Sequence, residues 1–161
     1  MGKTIAEKIF SRCANKDMRA GDEGIFWPDR IFAYDFPGFI EVFYKQCQDL
    51  GVYKVKHPEK TVFSIDHFVP AGNSSIVQYH KATYDMAKQF GYKVIDGKGI
   101  GFQNLCEMGY AKPGELSVHF DGHVSLLGAC GCIAYTIDYS IIEALATQSF
   151  GDVIPQTVRI N

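Results

Sequence analysis

Apolar positions recur along this chain at two different periods, and the alternation between them lays out its elements. Ile5, Ile9 and Phe10 fall at helical spacing behind Thr4, whose hydroxyl suits a helix N-cap, so a helix is expected over 4–13. The run at 29–35, Asp-Arg-Ile-Phe-Ala-Tyr-Asp, predicts a strand. Phe39, Ile40, Phe43 and Cys47 share one face of a helix expected over 38–50, with Pro37 suited to its first turn and Gly51 as its stop. Val62, Phe63 and Ile65 mark a buried strand over 61–66. Asn73-Ser74-Ser75 caps a long helix that turns Ile76, Tyr79, His80, Thr83, Met86, Ala87 and Phe90 inward and ends at Gly91. Short strands are expected at 92–95 and 116–120, helices at 126–137 and 139–150, and a final strand at 157–160. Strand and helix alternate, which predicts an α/β fold: a three-layer α/β/α arrangement around a mostly parallel sheet.

The bulk composition narrows the function classes. A length of 161 residues, 47% hydrophobic and 21% charged, describes a soluble globule of one domain, 1–161, with enough chain for a core. Twelve Phe and nine Tyr predict a core filled with rings. The net charge of −2, with Lys and Arg scattered, gives no footprint for nucleic acid or an acidic membrane surface. The longest apolar stretch, 126–133, is interrupted by Gly128 and Gly131 and is too short to span a bilayer. The charged start lacks the apolar region of a secretory signal. Five cysteines at irregular spacing do not form a disulfide framework, so a cytoplasmic location is expected.

The chemistry concentrates in Ser64-Ile65-Asp66-His67-Phe68-Val69-Pro70. A buried strand ends there on an acid followed at once by a histidine, and the strand ends of a parallel sheet are where such folds present their chemistry. A carboxylate beside an imidazole stabilises the imidazolium and suits it to proton delivery near neutral pH. A second acid–histidine cluster follows at Asp121-Gly122-His123. Each has a plainer reading: Asp66 as a turn cap with His67 solvated, and Asp121-Gly122 as a turn. Gly99-Lys98-type spacing around Gly99 and Gly101 has neither a third glycine nor the lysine–hydroxyl pair of a nucleotide loop, and reads as a tight turn beneath the pocket. Cys130 and Cys132 would point about 200° apart on a helix and so read as small core residues rather than metal ligands. Cys106 has no histidine beside it in sequence to activate its thiol.

Several motifs in order resemble one family. The opening Gly2-Lys3-Thr4-Ile5-Ala6-Glu7-Lys8-Ile9, then Ile65-Asp66-His67, Gly99-Ile100-Gly101-Phe102-Gln103, Pro113-Gly114-Glu115-Leu116, Asp121-Gly122-His123, Ala144-Leu145-Ala146-Thr147-Gln148 and Ile154-Pro155-Gln156-Thr157-Val158 are similar to landmarks of the N-terminal domain of the aconitase / 3-isopropylmalate dehydratase large subunit. The resemblance implies an aconitase-like N-terminal domain. It implies that His67 is a general acid kept protonated by Asp66, that Asp121 and His123 are catalytic, and that Asp35, Phe102, Gln103 and Gly122 contact substrate. Departures fall on the same positions. Phe102 stands where the family has a histidine that pairs with the acid at 121, so Asp121 needs another partner, such as His119 or His80. Gly122 stands where the family has a substrate-binding serine, Val124 where it usually has threonine, and Tyr34-Asp35-Phe36-Pro37 replaces a more polar segment.

The family's [4Fe-4S] cluster is implied by the resemblance, but its ligand cysteines match nothing in this chain, so no cofactor is expected for the chain alone. The function expected is therefore a component of a hydro-lyase acting on a small hydroxy-carboxylic acid, with a protein partner carrying the remaining aconitase-like domains and the cluster. The alternative is a degenerate stand-alone domain that binds a less polar ligand or runs cluster-free chemistry. A truncated, inactive piece is a third reading.

Overall fold

Local signals and tertiary packing agree over most of the chain. The computed structural model describes residues 2–35 and 39–160, so the expectations for Phe36, Pro37 and Gly38 lie outside the described residues. Helix α1 (Ile5–Ala14) opens on a capping box: the Thr4 hydroxyl accepts from Glu7 N at 3.1 Å, and Glu7 Oε2 accepts from Thr4 N at 2.7 Å. Helix α2 (Phe39–Asp49) buries Ile40, Phe43 and Cys47, the face its spacing predicts. Helix α3 (Ser74–Phe90) is capped by the Asn73 side chain and stops at Gly91, whose φ of 81° is the left-handed conformation that glycine adopts most easily.

Five strands form the central sheet: β2 (Arg30–Tyr34), β3 (Thr61–Ile65), β4 (Lys93–Asp96), β5 (Leu116–His119) and β6 (Ile133–Thr136). All pairs are parallel, in the order β4-β3-β2-β5-β6. The period of two divides each strand between two cores. Ile31, Ala33 and Phe63 face a large cluster with α1, α2, α3 and α5 (Ile141–Thr147). Phe32, Val62 and Ile95 face a smaller one with Leu105 of α4 (Gly101–Glu107) and with Val124 and Leu127. This is the three-layer α/β/α arrangement. A separate antiparallel ribbon joins β1 (Glu23–Phe26) to β7 (Phe150–Val153). No helix among the described residues is long and apolar enough to cross a membrane.

Four expectations are corrected. The helix expected over 126–137 is a 3-10 segment, Gly122–Cys130, followed by β6. The helix expected over 139–150 is shorter, and its last residue opens β7. Residues 157–160 form no strand, and the turn expected at 99–103 becomes the start of α4. The argument that set Cys130 and Cys132 on opposite faces of an α-helix therefore does not apply. Both are nonetheless core residues, with the Cys132 thiol 3.0 Å from the Leu127 carbonyl.

Candidate active site

The chain runs from β2 outward through β3 to β4, then returns to the other side of β2 for β5 and β6. Neighbouring connections thus leave in opposite directions at β2 and β5, and a crevice opens beyond their C-terminal ends. A cleft of about 640 Å³ lies there. One side carries Asp66 and His67, the other Asp121, Gly122 and His123. Tyr34 lines the cleft between them, and Ile100, Phe102 and Leu126 supply apolar walls.

The first cluster is built by parallel register. Tyr34 pairs with Ser64, and Asp35 N donates to the Ser64 carbonyl at 3.1 Å, which brings the residue after β2 beside the end of β3. The Asp35 side chain is fully buried. Its Oδ1 accepts from the backbone N–H groups of Asp66 and His67 at 3.2 and 3.3 Å and lies 3.2 Å from His67 Nδ1. His67 Nδ1 is also 2.9 Å from Asp66 Oδ1. From beneath, His80 of α3 places Nε2 3.1 Å from Asp35 Oδ2 and donates to the His67 carbonyl at 3.0 Å. A carboxylate with no solvent contact is stabilised only by such donors and cations, and these partners provide them. The other Asp66 oxygen, Oδ2, accepts from Gly101 N at 2.5 Å and so ties α4 to the site. Only glycine permits that approach: a Cβ at 101 would lie 2.6 Å from Ser64 Oγ and 2.8 Å from Asp66 Oδ2.

The second cluster centres on Asp121. Oδ1 accepts from His123 N at 2.7 Å and lies 3.0 Å from His123 Nδ1, and Oδ2 accepts from the Tyr34 hydroxyl at 2.5 Å. Partial burial works against ionisation of Asp121, but the bonds from Tyr34 and His123 outweigh it and hold the carboxyl below its usual range. Burial and the bond to Asp121 push the Tyr34 phenol well above its ordinary value, so it stays protonated. His119 is almost wholly buried, and desolvation drives it down to about 4 against the bond it makes to Phe32.

The sequence-predicted residues therefore divide. Asp66, His67, Asp121, His123, Phe102 and Gly122 line one cleft. Asp35 lies behind His67 rather than on the cleft wall. Gln103 points along α4, bonded to Glu107 at 2.8 Å, and is not among the lining residues. His80 serves Asp35, not Asp121. Tyr34 was legible only as a departure from a family motif, and its bond to Asp121 joins residues 87 apart. A side chain at 122 would meet nothing within 4 Å, so Gly122 leaves the cleft open on that side.

No protein-family model matches the chain. Curated relatives do. The chain is 34% identical over 165 residues to 3-isopropylmalate dehydratase large subunit 1 of Methanopyrus kandleri, covering 99% of this chain and 38% of the relative. It is 35% identical over 164 residues to the protein of the same name in Thermotoga maritima, with the same coverage. It is 33% identical over 132 residues to the homoaconitase large subunit of Thermus thermophilus, covering 81% of this chain and 31% of that protein. The chain is homologous to the N-terminal region of these aconitase-family large subunits. It spans 38% of the length of the first two relatives.

An iron–sulfur cluster, the group this aconitase-type family implies, needs cysteine thiolates converging on one point. Among the described residues, Cys13 and Cys47 lie in the larger core and Cys106, Cys130 and Cys132 against the smaller one; none lines the cleft. Burial pushes Cys13 up to about 11 and Cys106 up to about 12, which favours thiols over thiolates. These residues do not fit a cluster. Asp35, Asp66 and His67 do converge within 4.8 Å, the spacing of a metal site, but the imidazole occupies the space between the carboxylates.

Proposed function

We propose that this chain supplies the proton-transfer part of a hydro-lyase site, one that adds or removes water at a small hydroxy-carboxylic acid. Other polypeptide segments would carry the remaining groups, including any cluster. The observation that carries the reading is His67 at the mouth of a switch-point cleft with Nδ1 against two carboxylates, Asp35 and Asp66. That pairing favours the imidazolium and leaves delivery to a cleft ligand to Nε2. When water is eliminated, the proton moves from Nε2 to the departing hydroxyl oxygen, which leaves as water. The pair of electrons from the neighbouring C–H bond becomes the double bond. His123, tied through Nδ1 to Asp121, presents a second proton carrier to the same space.

A partner is supported by charge. The cleft lining holds no Lys or Arg among the described residues, so a substrate with two or three carboxylates meets only histidine cations here. The relatives are named large subunits, which accords with assembly. The test is His67→Ala in the complex of this chain with the polypeptide carrying the remaining domains. Loss of a general acid lowers kcat by roughly 10²–10⁴-fold, read as the absorbance of the unsaturated acid. Unchanged turnover refutes the assignment.

A second reading has its own support. Phe102, Ile100 and Leu126 make part of the cleft apolar, and Gly122 leaves it open, which suits a bulkier, less polar ligand bound by a self-sufficient domain. Native mass spectrometry separates the two. A complex with a larger, iron-bearing polypeptide supports the first, and an iron-free monomer or homo-oligomer supports the second.

A further inference from the structure

Tyr34 sits where the two acid–histidine clusters meet, and its geometry goes beyond lining the cleft. It ends the central strand β2. Its ring centroid is 4.7 Å from the His67 ring, 4.9 Å from the His119 ring and 4.6 Å from the Phe120 ring. Its hydroxyl donates to Asp121 Oδ2. One rigid side chain therefore touches the imidazole of the first cluster and the carboxylate of the second.

The chemistry of His119 makes this donor necessary. His119 Nδ1 lies 2.6 Å from the Phe32 carbonyl, an acceptor only, so the neutral ring carries its proton on Nδ1 and a lone pair on Nε2. That Nε2 is buried, has no hydrogen-bond partner, and lies 3.8 Å from Asp121 Oδ2. A lone pair facing a carboxylate is repulsive. Relief comes in one of two ways: a proton enters between them, or another donor draws the carboxylate aside. The other ring beside His119 is Phe102, edge-on at 4.9 Å, which offers no polar hydrogen.

We propose that Tyr34 is a positioning residue that holds Asp121 ionised and keeps a proton from settling between Asp121 and His119, so that Oδ1 stays committed to His123. The phenol satisfies Oδ2, and the carboxylate then fixes the His123 ring through Nδ1, aiming Nε2 at the cleft. The catalytic meaning of this arrangement rests on the hydro-lyase reading, but the arrangement itself does not.

The test is a pH titration of the histidine side chains by long-range 1H–15N NMR on the full chain, with Tyr34→Phe and Asp121→Asn variants. In the native chain His119 is a neutral Nδ1–H tautomer that protonates only in the acid range, at about 4. In Tyr34→Phe the bare carboxylate recruits a proton onto His119 Nε2, and its midpoint rises by about one unit or more, a tenfold change in proton affinity. In Asp121→Asn there is no carboxylate to recruit it, so adding Tyr34→Phe leaves the midpoint unmoved. A Tyr34→Phe midpoint equal to the native one overturns the proposal. So does an equal shift with Asp121 already replaced, which would mean repacking around the lost hydroxyl. Neither result depends on turnover, so this inference and the hydro-lyase assignment fail separately.

Discussion

Replacing Gly101 by Ala should loosen the link between α4 and the first cluster. The new methyl would sit 2.6 Å from Ser64 Oγ and 2.7 Å from Ser64 Cβ. Ser64 is a buried strand residue, and its Cβ is fixed by the backbone, so relief must come from α4. Ordinary contact requires its N-terminus to withdraw by roughly 0.8 Å, and overpacking of this kind costs about 1–3 kcal/mol. The same movement stretches the bond from Gly101 N to Asp66 Oδ2, a charge-assisted interaction worth about 1.5–3 kcal/mol. The two effects share one displacement and do not simply add, so the expected loss is about 2–4 kcal/mol. Urea unfolding reads this directly: with a slope of about 2 kcal/mol/M, the midpoint falls by about 1–2 M. Gly128→Ala is the control, because a Cβ there meets nothing within 4 Å. Its expected change is within about 0.5 kcal/mol. A Gly101→Ala protein as stable as that control would refute the close docking of α4 on Ser64 and Asp66.

The depressed affinity of His119 makes stability depend on pH. Its folded value is about 4 against an ordinary 6.5, so stability is full above pH 6.5. As pH falls toward 4, the unfolded chain takes up a proton that the folded chain refuses, and about 3 kcal/mol is lost. Denaturation at pH 7 and pH 4.5 measures the loss, and His119→Gln should flatten it; an unchanged slope in that variant removes His119 as the cause. Cys106, pushed to about 12 by burial and the neighbouring Cys130 thiol, should resist alkylation in the native chain at pH 7.5. Its thiolate fraction is roughly a thousandfold below that of an ordinary thiol, and labelling read by peptide mass spectrometry at the unfolded-chain rate would contradict that.

What could be read from the sequence followed the range of the interactions. The helix over Ser74–Phe90 was legible because its cap, its stop and its buried stripe are all local. Strand β3 was legible as a short apolar run between polar ends. Strand β6 was not, because Ile133–Thr136 is half-buried throughout at the sheet edge and continues an apolar stretch with no alternation. Gly101 begins a helix despite poor propensity because the close approach to Ser64 decides the residue, a tertiary reason that leaves no local mark. At the site, adjacency disclosed Asp66 with His67 and Asp121 with His123. The role of Asp35 as the buried counter-ion of His67 needed the register of β2 against β3, and the partner of Asp121 needed the pairing of β2 with β5.

That pairing has a kinetic side. Strand β2 is central in space yet precedes every other strand of its sheet along the chain. As the chain is synthesised, β2 and β3 can pair early, but the other edge of β2 waits for β5, and Tyr34 waits 87 residues for Asp121. Closing so long a loop is slow compared with local pairing. A nascent chain therefore carries Asp66 and His67 in place well before the second cluster exists, with one edge of its central strand unpaired and open to other strands until β5 arrives.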